Sequence, residues 1–112
     1  VDCVQAEDIT KKALDGTCSI CQETVDIFLE IIGAEAAAMG LRSMATGGVF
    51  IAGGIPKKIL PRIKEGRLKK AFLNEQGRFA KVIEKFPLFV CQKEIGLEGT
   101  FQYALSVAQG KR

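Results

Sequence analysis

Two places in this 112-residue chain combine residue types and spacings from which chemistry is built. The first is Gly47-Gly48-Val49-Phe50-Ile51-Ala52-Gly53-Gly54-Ile55-Pro56. A β-branched and aromatic run bracketed by glycine pairs reads as one buried strand between two tight backbone passages. Where a strand meets a helix through Gly-Gly, a ligand can lie against bare backbone at the carboxyl end of a sheet, because glycine has no Cβ to hold it away. The same pairs can simply turn the chain and let helix pack closely on strand, and the pattern alone leaves both uses open. The second place is Cys18-Ser19-Ile20-Cys21, a C-x-x-C, with Cys3 and Cys91 completing the four cysteines. The chain contains no histidine, so a zinc site would need all four thiolates, and the second C-x-x-C that normally completes such a set is missing. A redox pair needs the motif at a helix start after a strand, with an acidic first thiol. Ser19 and Gln22 make a capping box, yet no apolar strand precedes them. The better reading follows the three-four alternation Cys18, Cys21, Val25, Phe28, Ile32, Glu35/Ala36, Met39, which puts both cysteines on an apolar helix face as structural thiols. Without histidine, imidazole bases and histidine triads are also excluded from this segment.

These residues need elements to position them. Asp8 to Leu14 reads as a short helix with Asp8 or Thr10 near its cap and Gly16 at its end. Thr17 to Met44 reads as one long helix in which Gly33, Ala37 and Gly40 form a strip that lets another element come close. Val49–Ala52 is expected as a central strand, apolar on both faces as a helix-covered parallel sheet requires. Pro56 suits the first turn of the next helix, which is interrupted or restarted near Pro61 and ends at Gly66. Leu68–Leu73 and Phe79–Phe86 read as short helices, Leu88–Cys91 as a second strand after Pro87, and Gly96 or Leu97 to Gln109 as a final helix. The fold class is therefore α/β, helix-rich, with two neighbouring parallel strands. Two strands are a thin sheet for such helices, so further strands are expected on the N-terminal side of residue 1. Val1, not being Met, is not expected to be a translation start.

With 47% hydrophobic and 26% charged residues the composition is that of a globular domain. No basic leader followed by an apolar core occurs, so no secretory signal is expected. The longest apolar region, Val25 to Leu41, is broken by Asp26, Glu30 and Glu35, which argues against a membrane span. The sparse, irregular cysteines point to a reducing compartment, the cytoplasm. Charge is uneven: residues 1–40 hold two lysines against eight carboxylates, and residues 57–85 hold ten Lys/Arg against three glutamates. A basic half of this kind can face nucleic acid or phosphates, but solvated helix faces are the simpler account. Phe72 and Phe79, which punctuate it, fall at helical core spacing rather than forming stacking platforms, so no nucleic-acid partner is expected.

The words around the glycine pairs resemble the C-terminal part of the bacterial-type glucokinases, within the sugar kinase, actin and heat-shock chaperone superfamily. The resemblance runs in order over residues 8–105. It is carried by Gly33-Ala34-Glu35-Ala36, Gly47 to Ile55, Pro56-Lys57-Lys58-Ile59-Leu60-Pro61, Gly77-Arg78-Phe79, Phe86-Pro87 and Gly96-Leu97-Glu98-Gly99. Small departures are Pro56-Lys57 where the family has Ala-Pro and Phe86 where it has Ile. The resemblance implies the C-terminal part of an actin-like ATPase (ribonuclease H-like) lobe, with residues 96–109 a closing helix that packs on the N-terminal lobe. It implies an enzyme that transfers the γ-phosphate of ATP, with Mg, to the 6-hydroxyl of glucose at the start of glycolysis. In that family the Gly-Gly-Ile after this strand is the adenosine-binding turn, here Gly53, Gly54 and Ile55. The next helix would point its N-terminus into the same crevice, and Lys57 and Lys58 could add charge there. The family's phosphate-binding turn, its Asn-Asp pair with the catalytic base and its Glu-x-Gly-His sugar signature belong upstream. No catalytic residue and no metal ligand is therefore expected in this segment, which alone would be inactive. The closing helix, deprived of its partner, is expected either to fold back on its own sheet or to self-associate, for instance as a homodimer. Two other classes stay open: a non-catalytic nucleotide-binding or regulatory module that keeps the adenosine turn, and a basic nucleic-acid-binding domain.

Overall fold

The computed structural model describes residues 5–93 and 95–111, so Cys3 lies outside the described residues. Helix α1 spans Ala6–Asp15, starting two residues before Asp8, because Asp8 acts from inside the first turn: its carboxylate accepts the N–H of the N-cap residue Gln5 at 3.2 Å. Gly16, with φ 73°, ends it in the left-handed conformation that glycine adopts without a Cβ penalty. Helix α2, Ser19–Ser43, is the long central element and ends on Met44, itself left-handed at φ 48°. It buries Cys21, Val25, Leu29, Gly33, Ala36, Ala37 and Gly40. Phe28 and Met39, expected on that stripe, are instead exposed. The reason lies in composition: α2 carries apolar residues all round, with Ile20, Ile27 and Ile31 exposed on other faces, so spacing alone could not choose the buried one.

Strand β1 (Val49–Ile51) pairs in parallel with β2 (Leu88–Val90), in the register Val49↔Leu88, Phe50↔Phe89, Ile51↔Val90. Hydrogen bonds from Val49 N–H to the Pro87 carbonyl and from Cys91 N–H to the Ile51 carbonyl extend the ladder at both ends. Helices α3 (Gly54–Lys58), α4 (Leu60–Lys64), α5 (Arg67–Leu73) and α6 (Ala80–Ile83) lie between the strands, and α7 (Ile95–Ala108) follows. The break between α3 and α4 falls at Ile59, just before Pro61 in the first turn of α4. Pro61 has no N–H to continue a ladder. The helix expected over Phe79–Phe86 shrinks to the single turn α6. Phe79 caps that turn and is half exposed beneath the Arg78 guanidinium, so it is not a core residue, while Phe86 is buried.

Packing follows the small-residue strip. At Gly33 a Cβ would stand 2.6 Å from the Leu68 carbonyl oxygen, which is how closely α5 crosses α2. At Gly40 it would meet the rings and methyls of Phe86 and Val49 at 3.0–3.2 Å. The sheet departs from expectation on one side. Val49, Ile51, Leu88 and Val90 join the core, but Phe50 and Phe89 stack on each other at 4.9 Å on the opposite, uncovered face. Gly48, at φ 132°, makes room for that stack, since a Cβ there would lie 3.0–3.2 Å from both rings. No residue of α7 whose burial is described is buried, so the helix does not fold back on the sheet. No helix among the described residues is long and apolar enough to cross a membrane.

Candidate functional site: the glycine turn after β1

The turn begins where β1 stops. Gly53 has φ 116° and ψ −177°, a region that is essentially glycine-only. Gly54 then opens α3. A Cβ built at either glycine would meet no atom within 4 Å. The second glycine pair is therefore not there to let helix pack closely on strand. It presents open backbone at the carboxyl end of β1, whereas Gly48 of the first pair is used in packing, under the phenylalanine stack on the open face of the sheet.

Ile55, half exposed, is one wall of a cleft of about 580 Å³ whose other wall is α1, through Ala6, Thr10, Lys11 and Leu14. That volume lies within the range of small-molecule sites, roughly 300–1,000 Å³. A smaller cavity of about 170 Å³ continues beside it between Ile55, Ile9, Val25, Phe28 and Ile59. A further cleft of about 470 Å³, lined by Leu68, Phe72, Phe86, Leu88 and Val90, opens along the β2 edge of the sheet, away from the glycine turn.

Both lysines beside the turn lie on solvated surface, which the charge pattern allowed as readily as a role in the crevice. Lys58 pairs with Glu7 of α1 at 3.4 Å across the cleft, so part of its charge is answered within the chain. Lys57 is exposed. The α1 wall and the Glu7–Lys58 pair escaped sequence reasoning. Their signal was there in weak form, as complementary charges 51 residues apart and an α1 face repeating at three- and four-residue steps. Among the described residues no three carboxylates, thiols or imidazoles converge on a point where a metal could sit.

The chain matches the Glucokinase family over residues 2–107. It belongs to the glucokinase family. Among curated glucokinases it is 36% identical to that of Allorhizobium ampelinum over 98 residues, which is 87% of this chain and 28% of the relative. It is likewise 36% identical to that of Neisseria meningitidis serogroup C (strain FAM18) over 93 residues, 82% of this chain and 28% of the relative. With the glucokinase of Colwellia psychrerythraea the identity is 31% over 101 residues, 89% and 30% of the two lengths. The chain thus spans less than a third of the length of these glucokinases.

Proposed function

We propose that this segment supplies the adenosine-facing turn of a glucokinase that transfers the γ-phosphate of ATP to the 6-hydroxyl of glucose. The observation that carries the reading is the open backbone of Gly53 and Gly54 beside the Ile55 cleft: glycine there answers no packing demand within the described fold. A flat nucleoside can lie on such backbone and bury one face against Ile55. Family membership supports the reaction class. Phosphoryl transfer rests on positioning two substrates and stabilising a charged, metal-neutralised phosphate. On this reading Mg arrives with the triphosphate, whose oxygens supply much of its coordination, and no residue of this segment is assigned to it. We assign no catalytic residue here and read residues 1–112 as the C-terminal part of an actin-like nucleotide lobe, inactive alone. On this reading the exposed helix α7 docks on another apolar surface, either the other lobe of the same enzyme or α7 of a second copy. A non-catalytic nucleotide-binding module would use the same turn. The nucleic-acid reading has less support, because Lys58, Arg62 and Arg67 of the basic half are engaged by Glu7, Asp26 and Glu30 of the acidic half.

Gly54 gives the cleaner test. Its backbone is helical and its Cβ direction is open, so Gly54→Val should fold normally while placing an isopropyl group over the turn. In the enzyme with its natural termini, KM for ATP should rise about tenfold, equivalent to about 1.4 kcal/mol, with KM for glucose within about twofold of wild type. An unchanged ATP constant in a folded variant would refute the assignment.

A further inference from the structure

Of the C-x-x-C motif, Cys21 lies on the buried stripe of α2 as its spacing suggested, and Cys18 packs at the edge of the same core but from outside the helix. Cys18 is not part of the helical stripe: it is the N-cap of α2, with extended backbone (φ −140°, ψ 111°), and its Sγ accepts the Cys21 backbone N–H at 3.3 Å. N-caps are normally oxygen-bearing side chains, because the first amides of a helix need an acceptor. A neutral thiol is a poor acceptor and a thiolate a good one. The Cys21 thiol also donates to the Cys18 sulfur, and Lys12 of α1 adds a positive charge nearby; together these hold Cys18 below the ordinary thiol range. The two cysteines differ in access as well as position. Cys18 is only partly covered, whereas Cys21 is 2% exposed in the core. The Cys18 sulfur rests on the residue-21 backbone N–H at 3.3 Å, and Cα atoms three residues apart at a helix start, about 5–6 Å, fall in the range a disulfide spans.

We propose that Cys18 and Cys21 form a dithiol redox site whose oxidant is a low-molecular-weight disulfide, Cys18 being the attacking and Cys21 the resolving thiol. The Cys18 thiolate attacks one sulfur of the small disulfide RSSR, forming Cys18–S–S–R and releasing RS⁻. Cys21 then loses its proton to solvent and attacks the Cys18 sulfur, forming the Cys18–Cys21 disulfide and expelling a second RS⁻. Two protein thiols are oxidised by two electrons, and RSSR is reduced to two thiols once both RS⁻ take up protons. Accessibility sets the order, since a reagent reaches Cys18 before it reaches Cys21. This site is independent of the phosphotransfer reading.

The test uses the protein with its natural termini, with glutathione and its disulfide as probe. Trypsin releases both cysteines on residues 13–42 and Cys91 on residues 86–93, so Cys91 is an internal control. At pH 7, iodoacetamide should label Cys18 about tenfold faster than Cys91, with a pH midpoint below the free-thiol value of about 8.5. In oxidising glutathione the 13–42 fragment should lose two hydrogens and carry no adduct. Cys21→Ala should stop at glutathione on Cys18, and Cys18→Ser, which keeps an N-cap acceptor, should show neither adduct nor disulfide at Cys21. If Cys18 labels no faster than Cys91, or wild type accumulates the glutathione adduct or stays reduced in oxidising buffer, the proposal is wrong. Should Cys21→Ala fail to fold, the wild-type fragment masses decide alone.

Discussion

At the scale of single residues, the glycines divide by what a side chain would meet. Gly53 is fixed by its own backbone: at φ 116° and ψ −177° any Cβ is strained although the space around it is empty. Gly54 has the space without the strain. Gly53→Ala should therefore cost about 1–3 kcal/mol of stability, while Gly54→Ala, in the first turn of α3, should be neutral or slightly stabilising, as alanine is the better helix former. Urea denaturation of the two variants side by side checks this, and equal losses would mean that the turn geometry is misread. Cys18 carries a pH signature of the same local kind. Its folded-state pKa is depressed, so the stability it contributes is fully present above the unfolded value of about 8.5 and is lost as pH falls through the folded value. Cys18→Ser removes that dependence while keeping the cap, so the wild-type-minus-variant stability difference should rise with pH until it levels off above about 8.5; a flat difference would show that the cap is not thiolate-dependent.

At the scale of elements, the α2–α5 crossing rests on Gly33. A methyl there would run into the Leu68 carbonyl at 2.6 Å and the Ala71 Cβ at 2.9 Å. The first is backbone and cannot turn aside, so Gly33→Ala should destabilise by about 1–3 kcal/mol through overpacking. Gly40→Ala meets mainly the movable Phe86 ring and should cost less. A thermal melt that ranks Gly40→Ala as the worse of the two would contradict this packing. Gly33 and Gly40 were legible in sequence because two glycines seven residues apart in an otherwise strong helix have no local use. So were the parallel strands, marked by glycine and proline punctuation around apolar runs. Much of what was not legible is decided by partners distant in sequence. Which face of α2 is buried depends on α1 and α5, since its own sequence is apolar all round. An open sheet face stays open only because nothing among the described residues reaches Phe50 and Phe89, whereas Phe79 is held by its own neighbour Arg78 rather than by the core. The Cys18 cap was missed for a different reason: Ser19 is a better capping residue by type, and only the backbone shows that the helix begins one residue earlier, at Ser19 itself. The glycine turn was legible as a motif, whereas its cleft, built by α1 across more than forty residues, was not.

At the scale of the whole molecule, the acidic and basic halves face each other. Arg62 pairs with Asp26 with both side chains largely covered, and Arg67 reaches Asp26 and Glu30, tying α4 and α5 to α2. The molecule is nevertheless elongated, 54 × 37 × 18 Å with a radius of gyration of 16.8 Å, against about 13 Å for a compact domain of roughly this length. Apolar surface is left open in three places: the Phe50–Phe89 stack, the outer face of α2 at Ile20, Ile27 and Ile31, and α7. On α7, Leu97 is 75% exposed and Phe101 61%, with Leu105 on the same helix also exposed. Contiguous apolar surface of this kind tends to find a partner. Since no residue of α7 whose burial is described is buried, a charge placed on it should leave the core untouched, which separates docking from folding. Phe101→Asp in the 112-residue chain should keep wild-type helicity and an unchanged urea midpoint. Its mass in sedimentation should fall to that of a monomer at concentrations where wild type associates. Loss of helicity in the variant would mean that α7 packs on the core after all. A wild-type chain that sediments as a monomer throughout, or a variant that associates as strongly as wild type, would show that α7 does not pair with a second copy.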